Sequence, residues 1–194
     1  LLDGEGGALP MGSETRRSEA PRFRVHAYGA LRQQPGCPDS SVNALGEERL
    51  FSLCRDECYY PADTRHPIER LEVVRIRPQN YPGEALQQLI EDPWRVFSCD
   101  DRGEGCTAEF SDREFADAAR DTVYYVRAVQ SATPTINGAG LRCEYDAEGD
   151  CVAVNPCYAD SRTDPADDCL APAEHRAWSS PIFIDYGERR TAGR

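Results

Sequence analysis

Residues 122–130 read Thr-Val-Tyr-Tyr-Val-Arg-Ala-Val-Gln and have the strongest strand pattern in the chain. β-Branched and aromatic side chains, which favour pleated sheets, alternate here in two sets that point to opposite faces. Both sets contain apolar residues, so we expect a strand with both faces covered. Val123, Tyr125 and Val129 form one set, and Tyr124, Val126 and Ala128 form the other.

Further segments of alternating or β-branched composition predict additional strands. They span 22–31, 68–77, 94–99, 106–110 and 178–186. Turn-forming residues 100–105 separate two of them and predict a hairpin. Short helices are expected at 47–54, where apolar residues recur at helical spacing, and after Ser111, because Ser111 and Glu114 match the S-x-x-E capping box.

These elements predict an all-β fold, because strands dominate, helices are short and the turns contain Gly, Pro and Asp. Residues 124–130 and 178–182 resemble the last two strands of an immunoglobulin or fibronectin III-like antiparallel β-sandwich. In such sandwiches a tyrosine near the start of the penultimate strand hydrogen-bonds back into the preceding corner, and Tyr124 is our candidate. The residues expected to share one core are Leu71, Val73, Ile76, Val123, Tyr125, Val126, Val129 and Ile182.

Composition divides the chain into a connector, one domain and a tail. Residues 1–20 are rich in Gly, Ser and Glu, and we expect them to lead from a missing upstream domain. Residues 21–186 are expected to form the β-sandwich, with Cys-containing insertions at 36–67 and 131–176. We expect residues 187–194 to be a frayed tail.

The charge and hydropathy of the chain exclude two classes of partner. The 194 residues include 34 acidic and 22 basic ones, a formal net charge of -12. Nucleic acid, itself a polyanion, would repel such a chain. No stretch approaches the roughly 18 apolar residues of a membrane helix. We therefore expect no nucleic-acid partner and no membrane span.

Nine cysteines indicate an oxidising compartment, so we expect a periplasmic or extracellular protein with disulfides. Zinc binding is the competing interpretation. The chain has no Cys-x-x-Cys pair, and His26, His66 and His175 lie far from the cysteines in sequence. These spacings favour disulfides over metal.

Spacing also suggests which cysteines pair. Two pairs flank Gly-containing turns and can face each other across a hairpin, and a third encloses a Pro- and Asp-rich loop. The expected bridges are Cys99–Cys106, Cys143–Cys151 and Cys157–Cys169.

The three remaining cysteines are Cys37, Cys54 and Cys58. If Cys54 and Cys58 are both helical, their Cβ atoms lie about 5 to 6 Å apart, too far for a disulfide. We then expect Cys37–Cys58, with Cys54 as a buried thiol on the apolar side of its helix. A helix that ends before Cys58 reverses this choice.

Acidic loops are candidate calcium sites, because Ca²⁺ binds hard oxygen ligands. Asp146, Glu148 and Asp150 surround Gly149, and a second acidic cluster lies within 160–168. Neither loop has the EF-hand spacing, and Asp and Gly are also what a solvated turn requires. We therefore expect solvated turns.

Four aromatic residues, Trp94, Trp178, Tyr59 and Tyr60, are a candidate carbohydrate-stacking platform. Aromatics at alternating strand positions are more often core residues. An exposed coplanar pair would favour sugar binding, whereas buried rings would indicate a plain sandwich core.

Motifs along the whole chain resemble the C-terminal region of a PHP-like family catalogued as a domain of unknown function. They are Leu-Pro-Met-Gly at 9–12, Arg-Phe-Arg-Val at 22–25, Ile-Glu-Arg-Leu-Glu-Val-Val-Arg at 68–75, the segments 110–115 and 124–134, and Glu-His-Arg-Ala-Trp-Ser-Ser-Pro-Ile-Phe-Ile-Asp-Tyr at 174–186. The family commonly has Pro-Thr-Pro-Arg-Trp where this chain has Pro-Thr-Ile-Asn at 134–137, and the Cys-rich excursion is an elaboration of the family pattern.

The resemblance implies an N-terminal part similar to the PHP metal-dependent phosphoesterases, whose His and Asp residues hold divalent metals that activate water. This chain has three scattered histidines, no His-x-His pair and no Gly-x-Ser-x-Gly elbow. We therefore assign it no catalytic, cofactor-binding or metal-ligating residue.

These observations lead to one interpretation and one alternative. The chain is interpreted as an accessory C-terminal domain of a PHP-like metal-dependent hydrolase, with a structural or interface role and no complete active site. Its partner is then the upstream catalytic domain of the same polypeptide, which would hold the divalent metal. The alternative is a free-standing secreted, disulfide-rich binding module for glycans or proteins.

Overall fold

The computed structural model describes residues 1–2, 7–55, 57–100 and 102–187, without the side chain of residue 139. Strands predominate over short helices, which confirms the all-β class. The strands are β1 Glu14–Arg17, β2 Arg22–Ala27, β3 Leu31–Pro35, β4 Tyr59–Arg65, β5 Ile68–Ile76, β6 Ile90–Ser98, β7 Cys106–Ser111, β8 Thr122–Gln130, β9 Thr133–Ile136, β10 Cys143–Tyr145, β11 Cys151–Val154, β12 Leu170–Ala173, β13 Arg176–Trp178 and β14 Ile182–Tyr186. The helices are α1 Asp39–Leu45, α2 Glu47–Cys54, α3 Glu114–Ala118 and α4 Gly138–Arg142, with a 3₁₀ turn at Leu86–Gln88.

A six-stranded sheet is the largest element, with the order β1-β14-β8-β5-β6 and with β13 also paired to β8. Strand β8 lies at its centre and pairs antiparallel with β5, β13 and β14. Its bounds are those that the alternation predicts. Strand β1 pairs parallel with β14, so residues 14–17 of the expected connector are part of the sheet.

Strands β2 and β7 form an antiparallel ribbon that packs on one face of this sheet, here named the inner face. Phe23 stacks on Phe110 across the ribbon, with ring centroids 4.9 Å apart, and lies 4.7 Å from the ring of Tyr124 on β8. Phe97 of β6 stacks on Phe110 at 5.5 Å. Burial of these rings holds the ribbon on the sheet.

Smaller two-stranded sheets lie in or beside the two predicted insertions. Strands β3 and β4 flank α1 and α2, and the later excursion contains the pairs β9–β12 and β10–β11. No helix in the described ranges is long and apolar enough to cross a membrane. The predicted frayed tail lies outside the described residues from 188 onward.

The hairpin predicted around residues 100–105 is wrong, although both of its strands exist. Strand β6 pairs with β5 in the main sheet, whereas β7 pairs with β2 in the ribbon. The chain therefore crosses from one layer to the other between them. The Cys99–Cys106 disulfide joins the layers at this crossing, with Cα atoms 5.7 Å apart.

At residues 123–125, the core lies on the side of β8 opposite to the one predicted. Tyr124 is 2% exposed on the inner face, whereas Val123 and Tyr125 are only half-buried. The reason is the aromatic ribbon, because Phe23 and Phe110 cover the inner face at Tyr124. Alternation reveals two faces of a strand but not which of them the second layer covers.

The buried residues also form two clusters rather than the single core predicted. Val73 and Ile182 belong to one cluster and Leu71 to the other, and the half-buried Val126 contacts both. Of the remaining residues expected in the core, Val129 is fully buried and Ile76 is half-buried.

The capping box predicted at Ser111 is wrong. Ser111 is the last residue of β7, and α3 begins at Glu114. The free N–H of Glu114 instead donates to Oδ1 of Asp112 at 3.0 Å. The Glu114 carboxylate accepts a hydrogen bond from Arg75.

Leu71→Ala is expected to lower the free energy of unfolding by about 2–5 kcal/mol, because the fully buried side chain leaves a cavity. Tyr124→Ala should lower the free energy of unfolding by more than Tyr125→Ala, because the Tyr124 ring is buried and the Tyr125 ring is only half-buried. Urea denaturation, with the m-value checked for each variant, measures these differences. An unchanged midpoint for Leu71→Ala would contradict its place in the core.

Candidate functional site

A buried cluster of charged side chains joins the two layers. Arg75 on β5 is 2% exposed, and Asp112, which follows β7, is 0% exposed. Arg75 Nη1 donates to Asp112 Oδ2 at 2.8 Å, and Nε and Nη2 donate to Glu91 at 2.6 and 2.9 Å. Nη2 also donates to Glu114 at 2.7 Å. One guanidinium group thus links β5, β6 and the corner that leads into α3.

Tyr124 extends this cluster to the central strand. Its hydroxyl donates to Asp112 Oδ2 at 2.7 Å, so Tyr124 bonds back into the preceding corner as predicted. Burial, reinforced by the adjacent Asp112 carboxylate, raises the pKa of Tyr124 and keeps its phenol protonated. The Arg75 guanidinium also lies 4.3 Å from the ring of Trp94, a cation–π contact. These contacts join structural elements, and we assign the cluster a structural role.

The opposite side of the six-stranded sheet, here named the outer face, carries a row of ion pairs. Glu72 of β5 lies opposite Arg127 of β8 and accepts hydrogen bonds from Arg127 at 2.9 Å and Arg70 at 2.7 Å. Arg70 also donates to both carboxylate oxygens of Glu174, at 2.8 and 2.7 Å. A bidentate pair of this kind has a defined geometry, so the row is an ordered surface.

The arginines hold the pKa values of two carboxyl groups in this row below their usual range. For Glu174, the hydrogen bonds from Arg70 are the main cause. For Glu72, burial opposes ionisation, but the hydrogen bonds and charges of Arg70 and Arg127 outweigh it. Both side chains therefore carry full negative charge at neutral pH.

Exposed apolar side chains flank the ion-pair row on the outer face. Trp178 is 60% exposed and lies opposite Arg127, and Phe183 is 43% exposed and lies opposite Val123. On the edge strand β6, Ile90 and Val96 are also exposed. Aromatic residues and arginines on one ordered surface are typical of protein–protein interfaces.

A cavity of about 340 Å³ opens between β2 and the inner face, beside the N-terminal residues. Its walls are mainly apolar and include Leu1, Leu9, Phe23 and Ile182. The hydroxyl of Ser179 accepts a hydrogen bond from the Val126 N–H at 3.0 Å. This hydroxyl, one of several polar groups in the lining, therefore has a structural partner.

The disulfides include the three pairs that spacing suggests. Cys99–Cys106, Cys143–Cys151 and Cys157–Cys169 are bridged, with Cα atoms 5.4 to 5.7 Å apart. Such bridges fit an oxidising compartment. Helix α2 ends at Cys54, which is the case in which we expected the choice to reverse, so Cys54–Cys58 competes with Cys37–Cys58. Cys54, expected as a buried thiol, is half-buried.

The acidic loops use their carboxylates to form turns. Asp146 Oδ1 accepts hydrogen bonds from the N–H groups of Glu148 at 3.1 Å and Asp150 at 2.8 Å, and all three residues are exposed. In the second loop, Asp167 pairs with Arg142 at 2.7 Å. These contacts are those of a solvated, hydrogen-bonded turn.

The four aromatic residues of the predicted platform are divided among three strands, with Tyr59 and Tyr60 on β4, Trp94 on β6 and Trp178 on β13. Trp94 packs against the core, with the guanidinium groups of Arg75 and Arg95 at 4.3 and 4.2 Å from its ring. Trp178 lies on the outer face, and Tyr59 is exposed on β4. The exposed coplanar pair that would favour sugar binding is not formed by the two tryptophans.

The histidines have local contacts. His26 Nδ1 lies 2.7 Å from the Thr107 hydroxyl, and His175 Nε2 lies 3.4 Å from that of Thr135. Burial, with the charges of Arg32 and His175, lowers the pKa of His66. Within the described ranges, the one group of three His, Cys, Asp or Glu side chains placed to share a metal ion is Cys37, Cys54 and Cys58.

Sequence reasoning missed the two charged arrangements. Arg75 and Asp112 stand among alternating and turn-forming residues, and their pairing spans 37 positions. One sequence signal could have revealed the cluster. Arg75 shares a side of β5 with the apolar residues Leu71 and Val73, and a charge in a buried position requires a partner. The partner itself cannot be read from the pattern.

Comparisons with protein-family models, curated proteins and solved structures find no match to this chain. The resemblance to PHP-like proteins therefore stays a prediction, and function is inferred from the surfaces described above.

Asp112→Ala is expected to lower the free energy of unfolding by about 3–5 kcal/mol, because it leaves Arg75 buried with fewer carboxylate partners. Glu109→Ala is the matched control. It breaks the exposed Arg24–Glu109 pair and should cost at most about 1 kcal/mol. Chemical denaturation measures both, and Asp112→Asn, which keeps the shape, separates charge from packing. Equal losses for Asp112→Ala and Glu109→Ala would contradict the importance of the buried cluster.

Acidification is expected to reduce stability through Glu72 and Glu174. Because folding lowers both pKa values, their contribution is present above the usual value of 4.5 and is lost as the pH falls through the folded values. Glu72→Gln should therefore lose less stability than wild type between about pH 5 and pH 3. The difference at pH 7 controls for the altered hydrogen bonds. If the free energies of unfolding of wild type and Glu72→Gln fell in parallel over this pH range, the contribution of Glu72 to acid sensitivity would be refuted.

Proposed function

We propose that this chain is an accessory, interface-forming domain of a PHP-like metal-dependent hydrolase in the periplasm or outside the cell. It binds the catalytic domain of the same polypeptide through the outer face of its six-stranded sheet. The hydrolase acts on phosphoester bonds. The observation that carries the proposal is the combination of Trp178 and Phe183, both exposed, with the ordered ion-pair row between Arg127 and Glu174.

The two-layer fold supports the use of the outer face as a binding surface. The β2–β7 ribbon covers the inner face, and the Arg75 cluster ties the ribbon's end to the sheet. The outer face is therefore displayed on a rigid support, which lowers the entropy cost of binding. We assign the two layers to an immunoglobulin or fibronectin III-like sandwich, and the hydrogen bond from Tyr124 to Asp112 supports this assignment.

The donor set of this chain does not fit the metal centre of a phosphoesterase. Such centres use imidazole and carboxylate ligands. Among the described residues, the group placed to share an ion consists of three cysteines, whose thiolates are soft ligands. The proposal therefore assigns the hydrolytic metal to the catalytic partner and no step of phosphoester hydrolysis to this chain.

The test begins with the complete reading frame, which should encode the His-rich motifs of a PHP domain upstream of this chain. The catalytic domain and this chain, produced separately, should then bind each other in calorimetry. Trp178→Ala with Phe183→Ser should weaken this binding at least about tenfold, because central aromatic residues dominate interface energies. Tyr28→Ala is the matched control, since Tyr28 is also 60% exposed but follows β2 in the other layer.

Three outcomes would overturn the proposal. An upstream frame without metal motifs would favour the free-standing binding module. Equal affinities for the outer-face variant and Tyr28→Ala would reject this face as the interface. Hydrolysis of an aryl phosphate by this chain alone, abolished by a chelator, would place a catalytic centre within it.

A further inference from the structure

Three cysteines converge in the first insertion, although one sulfur can hold only one disulfide at a time. Cys37 follows β3, Cys54 ends α2 and Cys58 precedes β4. The Cα atom of Cys58 lies 5.3 Å from that of Cys37 and 5.6 Å from that of Cys54. Both separations fall within the range of about 4.4–6.8 Å seen in disulfides. The backbone thus allows either bridge.

The end of helix α2 creates this choice. Arg55 has φ 48° and ψ 43°, a left-handed conformation that ends the helix at Cys54. The N–H of Glu57 then donates to the Cys54 carbonyl at 2.7 Å, which folds the chain back in a turn. Cys58 is therefore not helical, and the geometric objection to Cys54–Cys58 disappears.

We propose that Cys37, Cys54 and Cys58 form a thiol–disulfide exchange site in which one bridge moves between Cys37–Cys58 and Cys54–Cys58. In the forward step, the Cys54 thiolate attacks Sγ of Cys58, the new bridge forms, and Cys37 leaves as a thiolate. Cys37 takes up a proton from water to replace the one that Cys54 released. No electrons are gained or lost overall, so the exchange needs no oxidant or reductant.

The site is open to external disulfides. All three cysteines are half-buried, and a cavity of about 410 Å³ lies beside Cys37 and Cys58. Its walls include Val42, Leu50 and Phe51. A small disulfide with an apolar substituent therefore fits as the external substrate. Attack by the free thiol forms a mixed disulfide and releases one thiol from the substrate.

The other three disulfides have only one possible partner for each cysteine and therefore act as internal controls. Each of their cysteines has a single bridging partner, as in Cys143–Cys151 and Cys157–Cys169. Exchange should therefore be confined to the first insertion, and peptide maps should show one linkage for each of the other pairs.

The experiment traps free thiols of the intact chain and maps linked peptides after digestion at acidic pH, where thiolates are too scarce to exchange. We expect one reactive thiol per chain, with Cys37–Cys58 and Cys54–Cys58 peptides in the same sample. Cys37→Ser and Cys54→Ser should each abolish the free thiol by leaving one fixed bridge. The Cys143→Ser, Cys151→Ser double variant, which removes a distant bridge, should keep both linkages.

The same chain should also form a mixed disulfide with 4,4′-dithiodipyridine, a neutral aromatic disulfide, at one equivalent per chain. The product should carry the label on Cys37 or Cys54, and Cys37→Ser and Cys54→Ser should not react.

Several results would overturn the proposal. A single linkage in the wild-type chain would show a fixed bridge with a spectator thiol. A free Cys58 in either serine variant would show that the second bridge does not form. Three protected thiols released together by a chelator would identify a metal-thiolate site instead, and incubation with Zn²⁺ alone would then restore the protection.

Discussion

The ion pair between Arg75 and Asp112 is the contact on which the two-layer arrangement depends. Both side chains are almost completely buried, so each would carry a large desolvation cost without the other. Their pairing sets the position of the corner after β7 relative to β5, and the Tyr124 hydroxyl joins the same carboxylate from β8. A shift of the ribbon along the sheet would break these bonds together, which makes the register of the layers specific.

The inner cluster also determines which side chains lie on the outer face. Strands place alternate side chains on opposite faces, so the residues that flank Arg75 and Tyr124 must point outward. On that side Glu72, Arg70 and Glu174 satisfy one another, while Trp178 stays exposed. The result is an ordered surface in which charge is paired locally and some apolar side chains are exposed.

The cysteine cluster is governed by local backbone geometry rather than by the sheet. One left-handed residue, Arg55, stops α2 and brings Cys58 back beside Cys54, while β3 delivers Cys37 from the other side. The proposed docking surface and the proposed exchange site lie on separate parts of the fold. Each can be altered without removing the Arg75 cluster.

The sequence by itself determined the features that depend on local periodicity and spacing. The bounds of β8, helix α2 and three disulfide pairs belong to this group. Tertiary structure alone decided that β6 and β7 belong to different layers, that Tyr124 rather than Tyr125 faces the core, and that Arg75 meets Asp112. The physical reason is that alternation defines the two faces of a strand, whereas burial of one face depends on residues that approach it from distant parts of the chain.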